Sequence, residues 1–315
     1  MKVVLYLDPA IWQGRVAQLT SKYSQVTFVF AESKERIPND CEVLITSHGF
    51  KPEDLEDKKR LKLILVPFTG INQLPLSYLN KRNITVCNTH VHASVVAERG
   101  LALGLALLGR VVELDERLRK GWHHVGDRTW VSLFGKRVGI LGMGAIGQAL
   151  YRLLQPFQIE LITLRRYEPR LKPLGIQATY FDSVEDVCLY SDLIYNILPL
   201  TSKTERLLDA KLINRLHGKF LINIGRGPTI DEAALYRALR DGILRGGAFD
   251  VWYQYQDNEP SAFPFHELSN VVLSPHCAGM AEKSDALMME DTLRNLERYL
   301  NGEPLDNVVR LEAEY

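Results

Sequence analysis

An arginine held between two glycines is the first place where this chain offers chemistry. In Asn223-Ile224-Gly225-Arg226-Gly227 the guanidinium comes directly after an apolar run. Paired glycines mark a point where the backbone crowds something, which a surface arginine does not need. Two further runs end alike. Asp250 lies in the run Gly247–Val251, and Val271–Leu273 leads into Ser274-Pro275-His276-Cys277-Ala278-Gly279. A guanidinium grips a carboxylate in a bidentate fork and polarises a neighbouring carbonyl. An imidazole titrates near neutrality and moves a proton. The pair suits hydride arrival at the oxo carbon of a 2-oxo acid. Arg226 would hold carboxylate and carbonyl, and His276 would give the alkoxide its proton.

A hydride needs a carrier, and the chain has a place for one. Val138–Leu141 is a short apolar run that ends in Gly142-Met143-Gly144-Ala145-Ile146-Gly147. Ile146, Ala149, Leu150, Leu153 and Leu154 then recur at helical spacing, with Pro156 past the end. Strand, Gly-x-Gly-x-x-Gly turn and helix form the dinucleotide-binding unit: one glycine turns, one admits a pyrophosphate, one lets helix and strand pack. The helix N-terminus receives the anion. The next apolar run, Ile159–Leu164, ends in Arg165-Arg166 where an NAD site wants an acid for the ribose. Two guanidiniums would attract a 2′-phosphate instead. The expected cofactor is therefore NADP(H), with NAD(H) possible. Glu168 follows both arginines and is a poor substitute for the acid.

These residues need elements to position them. At 315 residues the chain is long enough for two domains, because a single core rarely grows beyond about 250–300 residues. The apolar fraction is 46%, and 38 basic residues balance 38 acidic ones. That balance argues against nucleic acid or an anionic membrane as main partner. Cys41, Cys87, Cys188 and Cys277 have neither metal nor disulfide spacing and fit reduced thiols in a cytoplasmic protein. The N-terminal apolar run is too short for a signal peptide, and the longest uncharged run, Gly100–Gly109, is too short to span a membrane. His90 and His92 lack further ligands at metal spacing, so no metal is expected.

Strand-like runs at Val3–Leu7, Val26–Phe30, Val43–Thr46, Leu61–Val66 and Ile84–Cys87 alternate with polar, helix-period stretches. They predict a first parallel α/β domain. Its Phe68-Thr69-Gly70 loop, at the end of one run, is a candidate to hold a substrate carboxylate through backbone N–H groups. A long helix is expected from about Ser94 to Lys120, with Ser94 as N-cap. Gly100, Gly104 and Gly109 within it suggest close packing, at a subunit interface or inside one domain. Beyond it, Leu193–Leu198, Phe220–Ile224, Gly247–Val251 and Val271–Leu273 read as further strands, with Asp231 capping a helix to Arg240. Arg226, Asp250 and His276 then lie at the carboxyl ends of strands in one sheet. Tyr253, Tyr255, Phe263 and Phe265 make the loop after Asp250 aromatic, as a lid or as packing on its own domain.

Gly142 to Gly147, Pro199-Leu200-Thr201, Asn223 to Gly227, Gly247 to Val251 and Ser274 to Gly279 together resemble the D-isomer-specific 2-hydroxyacid dehydrogenase family. Val96-Ala97-Glu98 is similar to the family's opening of its inter-domain helix. The resemblance implies a Rossmann-type cofactor domain, 96–279, inserted into a flavodoxin-like substrate domain, 1–95 plus 280–315. It implies a homodimer and a small 2-oxo or 2-hydroxy acid substrate, with glyoxylate and hydroxypyruvate leading. It places the cofactor against Gly142, Gly144, Ala145, Ile146, Gly147, Arg165, Arg166, Leu198, Pro199, Thr204, Ile224, Gly225, Arg226, Asp250, His276 and Gly279, with Asp250 at the carboxamide. The substrate falls to Phe68, Thr69, Gly70, Arg226 and His276. The family's catalytic Arg and His map onto Arg226 and His276. Its Glu maps onto Glu259, before Pro260, or onto Asp257, since the loop has changed length. A phosphoglycerate dehydrogenase-like NAD enzyme and a non-enzymatic nucleotide-sensing protein on the same fold are the alternatives.

Overall fold

The computed structural model describes residues 1–255 and 259–313. It forms two compact units, Met1–His92 with Glu282–Tyr315, and Ala93–Ala281; the sequence reading set the inserted unit at 96–279.

In the first unit, five parallel strands form one sheet: β1 (Lys2–Tyr6), β2 (Thr27–Phe30), β3 (Val43–Thr46), β4 (Leu63–Leu65) and β5 (Thr85–Cys87), in the order β2-β1-β3-β4-β5. This is the flavodoxin-like winding. Parallel strands bury both faces, so they read as unbroken apolar runs. The helix Pro9–Lys22 covers one face with Trp12, Val16 and Leu19. Asp8 caps it by accepting the Ala10 N–H at 2.9 Å. The same face takes Met289, Leu293 and Leu296 of the C-terminal helix Ser284–Asn301, so the unit is built from both chain ends.

In the second unit, seven strands follow: β6 (Arg137–Leu141), β7 (Glu160–Leu164), β8 (Thr179–Phe181), β9 (Leu193–Asn196), β10 (Phe220–Asn223), β11 (Gly246–Phe249) and β12 (Val271–Leu273). All pair in parallel, in the order β12-β11-β10-β9-β6-β7-β8. This is the doubly wound Rossmann order with one added strand, and the winding reverses between β6 and β9. The register aligns the strand ends. Leu141 stands opposite Asn196, Asn196 opposite Asn223, Asn223 opposite Phe249, and Phe249 opposite Leu273. Five strands therefore end in one row, and the five loops leaving them start side by side.

The expected helix from Ser94 to Lys120 is two helices, Ala93–Leu108 and Val111–Arg119. Gly109 and a left-handed Arg110 (φ 51°) break it. The Arg110 guanidinium is fixed there by Glu113 at 2.7 and 2.8 Å and by Asp127 at 3.1 Å. Ser94 is not the cap, since Ala93 already lies in the helix. The glycines of the first helix face their own sheet. A Cβ on Gly104 would stand 2.2 Å from the Tyr195 hydroxyl, and one on Gly100 2.7 Å from Ile224. The intramolecular alternative thus accounts for both.

Tyr195 is fully buried on β9, and its hydroxyl has no hydrogen-bond partner. An unpaired buried hydroxyl costs about 1–3 kcal/mol. Tyr195→Phe should therefore raise the midpoint of thermal unfolding by about 2–12 °C. A drop of several degrees would show that the hydroxyl is satisfied after all.

Candidate functional site

The glycine-rich turn begins directly after β6. Gly142 takes φ +107°, a conformation that L side chains rarely adopt. A Cβ on Gly147 would strike the Gly142 carbonyl oxygen at 2.1 Å, so this glycine lets the helix Ala145–Leu154 pack on the turn. A Cβ on Gly144 meets nothing within 4 Å. Gly144 is also the N-cap and donates no side-chain cap, so the first N–H groups of the helix carry no side-chain acceptor. Open space at the positive end of a helix fits a dinucleotide pyrophosphate. Ala145 and Ile146 form the first turn of that helix. The loop after β9 lies beside the turn, because the Ile197 carbonyl is what a Gly142 Cβ would meet, at 2.8 Å. Leu198 is buried and Pro199 exposed, and the Thr204 hydroxyl closes the loop by donating to the Pro199 carbonyl at 2.6 Å.

Arg165 and Arg166 begin a short helical turn after β7. Arg165 is already engaged, with Asp182 at 2.9 Å, the Tyr180 carbonyl at 3.2 Å and Glu168 at 3.5 Å. Arg166 lies over the Tyr167 ring, 5.0 Å from its centroid, and donates to the Tyr167 hydroxyl. Among the described residues Arg166 has no carboxylate partner. The two arginines are thus not equivalent.

The turn carrying Arg226 is fixed by a buried amide network that the sequence reading missed. β9 and β10 are apolar strands that each end in asparagine. Asn196 donates through its amide to the Asn223 side-chain oxygen (3.1 Å) and to the Thr229 hydroxyl (2.7 Å). Asn223 accepts the Gly225 N–H and donates to the Arg226 carbonyl, both at 3.0 Å. Thr229 donates to the same carbonyl at 2.6 Å. Two asparagines ending adjacent apolar runs were the available signal. Gly227 is needed because a Cβ there would sit 2.2 Å from the Trp252 carbonyl oxygen. Ile224 and Gly225 are buried beneath the turn. Burial pushes the Arg226 guanidinium below its usual pKa, opposed by the nearby Tyr255 hydroxyl.

His276 lies in the loop after β12 with φ +55°, unusual for a residue with a side chain. Asp250, one residue past β11 and 1% exposed, holds that backbone. It accepts the Ser274 hydroxyl at 2.5 Å and the N–H groups of Cys277 and Ala278 at 3.0 Å each. Trp252 adds a bond from its indole N–H to the Ser274 carbonyl at 2.9 Å. Asp250 was expected at the cofactor's carboxamide; here its carboxylate is turned to the His276 loop, which ends at Gly279. Burial and, after it, the Arg226 charge lower the His276 pKa, and Asp250 opposes them.

Arg226, Asp250 and His276 thus come together. Glu259 does not join them. It is exposed, makes no hydrogen bond to His276, and lines a cavity of about 630 Å³ with Trp252, Phe263, Phe265 and Pro275. Asp257 lies outside the described residues. The side chain against the imidazole is Tyr255, with ring centroids 4.9 Å apart. The rest of the aromatic loop packs on its own unit: Phe263 stacks on Tyr236, and Phe265 meets Phe249 and Trp252.

In the first unit, Phe68-Thr69-Gly70 follows β4 and Val66-Pro67. Phe68 is exposed. Asn88 donates to the Thr69 carbonyl at 2.7 Å, and the Thr69 hydroxyl donates to the Thr89 carbonyl at 3.0 Å with His92 3.3 Å away. Among the described residues no group of three His, Cys, Asp or Glu side chains is placed to hold a metal ion. No helix among them is long and apolar enough to cross a membrane.

Comparison with known proteins identifies the family. Residues 101–278 match the model of the D-isomer specific 2-hydroxyacid dehydrogenase NAD-binding domain. Hydroxyphenylpyruvate reductase of Plectranthus scutellarioides is 32% identical over 82% of this chain and 81% of its own. Glyoxylate/hydroxypyruvate reductase A of Arabidopsis thaliana is 32% identical over 82% of each chain. The solved structure of an NADPH-dependent glyoxylate/hydroxypyruvate reductase of Sinorhizobium meliloti, with NADP and malonate, is 25% identical, covers 99% of this chain and 97% of its own, and superposes with a TM-score of 0.84. With a family model matching more than half of its length and relatives at 32% identity over four fifths of each chain, the chain belongs to the D-isomer-specific 2-hydroxyacid dehydrogenase family of NAD(P)-dependent enzymes.

Proposed function

We propose that the enzyme reduces a small 2-oxo acid, glyoxylate or hydroxypyruvate, to the D-2-hydroxy acid with NADPH. The observation that carries this reading is the row of strand ends. It sets Arg226 and His276 on the same edge as a helix N-terminus with open space before it. When bound, the nicotinamide supplies the hydride. The chain's own residues do the rest. The first N–H groups of the helix Ala145–Leu154 hold the pyrophosphate. Arg226 pairs with the substrate carboxylate and polarises the oxo group, and partial burial strengthens both contacts. His276, protonated, gives its proton to the developing alkoxide.

The preference for NADPH rests on Arg165 and Arg166. Arg165 must loosen its pairs with Asp182 and Glu168 to meet a 2′-phosphate, whereas Arg166 has no acid to leave. Initial rates with glyoxylate and hydroxypyruvate, each with NADPH and NADH, test the whole reading. The expected result is at least tenfold higher kcat/KM with NADPH, about 1.4 kcal/mol. Arg166→Ala should remove most of that margin and Arg165→Ala less. Equal rates with both cofactors would overturn the NADPH assignment. Absence of turnover with either acid would overturn the substrate assignment.

A homodimer is part of the same proposal. Val111, Leu118, Trp122, Trp130 and Phe134 are exposed within one short span, and Trp122 and Trp130 are 65% and 60% exposed. Apolar exposure on this scale marks an interface more often than free surface. Light scattering on the eluting protein should give twice the mass of one chain, and Trp122→Arg should shift it toward one. A parent that elutes as a monomer refutes the assignment. The four cysteines, all free, fit a reducing, cytoplasmic compartment.

A further inference from the structure

We propose that Tyr255 is the residue that positions the His276 imidazole, in the place where a loop carboxylate is expected. The inference rests on the reading of His276 as proton donor and names the group that holds it. Asp250 and Trp252 fix the backbone of the Ser274–Ala278 turn, but neither hydrogen-bonds the imidazole. Among the described residues the ring nitrogens of His276 make no hydrogen bond. The ring contact is with Tyr255, at 4.9 Å between centroids and 31° between planes.

Tyr255 is itself anchored. Its hydroxyl accepts the backbone N–H of Trp252 at 3.1 Å. The indole N–H of the same Trp252 donates to the Ser274 carbonyl. Both rings of this tilted contact therefore hang on one buried residue, Trp252, which is 7% exposed. A contact built this way fixes the direction of the imidazole without contributing a charge. Arg226 lies within electrostatic range of both rings, so the ring contact borders the proposed site of carboxylate binding. Tyr255 is 59% exposed, so its ring meets the imidazole on one face and solvent elsewhere. Glu259 stands apart from this group and lines the neighbouring cavity.

The test compares Tyr255→Leu, which removes ring and hydroxyl, with Tyr255→Phe, which keeps the ring. Two readouts are taken on the full chain. One is kcat and KM for glyoxylate with NADPH. The other is the proton resonances of the His276 ring without any ligand, which a neighbouring aromatic ring displaces. Tyr255→Leu should lower kcat about tenfold, the scale of one well-placed aromatic contact, with KM for glyoxylate changed by less than about threefold. It should also return the His276 resonances toward free-imidazole positions. Tyr255→Phe should restore both to within about threefold and a small residual shift, since the ring does the positioning. The proposal is overturned if Tyr255→Leu leaves resonances and kcat unchanged. It is equally overturned if Glu259→Gln or Asp257→Asn loses as much activity as His276→Ala while Tyr255→Leu does not. If His276→Ala keeps full turnover while Tyr255→Leu still moves the resonances, the ring contact is real and the proton-donor reading beneath it has failed.

Discussion

His276→Ala is expected to lower kcat for 2-oxo acid reduction about 10³-fold and to leave NADPH binding within about twofold. Positioned proton transfer contributes roughly 10²–10⁴-fold, and removing the donor forces water to do the same work. The effect falls on kcat because the proton moves only as the alkoxide forms. Cofactor affinity is spared because the pyrophosphate is held at another strand end. The pH profile gives a second check. Burial first, then the Arg226 charge, hold the His276 pKa below the ordinary imidazole value, with Asp250 opposing. The reducing form is the protonated one. So kcat/KM for reduction should be highest at acid pH and fall tenfold per pH unit above a midpoint lower than about 6.5. Oxidation of the 2-hydroxy acid should show the opposite slope, since it needs the neutral ring. A flat profile, or an alanine variant within tenfold of the parent, would remove His276 from the reaction.

Asp250→Ala should unfold the second unit at a midpoint about 10 °C lower and reduce kcat about 10²-fold. The carboxylate is 1% exposed and accepts three hydrogen bonds, from Ser274, Cys277 and Ala278. Bonds to a charged acceptor contribute about 1.5–3 kcal/mol each, and their loss leaves buried N–H groups without an acceptor. Part of this is offset, because a buried carboxylate carries a desolvation cost of its own. A net loss of about 3–5 kcal/mol remains, and for a unit of this size each kcal/mol moves the midpoint by about 2–4 °C. Activity falls by a separate route. His276 holds φ +55°, and for a residue with a Cβ that conformation costs about 1–2 kcal/mol. Without Asp250 the loop relaxes toward ordinary backbone and carries the imidazole away. Asp250→Asn should do little better, since its amide puts N–H against N–H. Thermal unfolding followed by circular dichroism, with kcat measured on the same preparation, decides this. A midpoint within 2 °C of the parent would show that the loop is held by something else.

Most of the strands and the cofactor turn were legible in the sequence because their signals are local. A parallel strand buried on both faces must be an apolar run, and the three glycines at Gly142, Gly144 and Gly147 carry their spacing in the chain itself. The helix break at Gly109-Arg110 was less legible, since a left-handed Arg110 is stabilised by Glu113 and by Asp127, which comes in the irregular segment beyond the second helix. The face met by Gly100 and Gly104 also needed the fold: their neighbours, Ile224 and Tyr195, are about a hundred residues away in sequence.

The sequence by itself determined most of the strands and the dinucleotide turn, and it singled out Arg226 and His276 as the candidate groups with chemistry to offer. Only the tertiary structure decided what surrounds them. The sheet register brought five strand ends into one row, so Asn196 and Asn223 could fix the Arg226 turn and Asp250 could hold the His276 loop. It also put Tyr255, and not Glu259, against the imidazole. The reason is physical. Periodicity and turn residues act over a few positions, whereas hydrogen bonds between loops depend on which strands are neighbours. Neighbours in this sheet can be far apart in the chain: β6 ends at Leu141, and β9, which pairs with it, begins at Leu193.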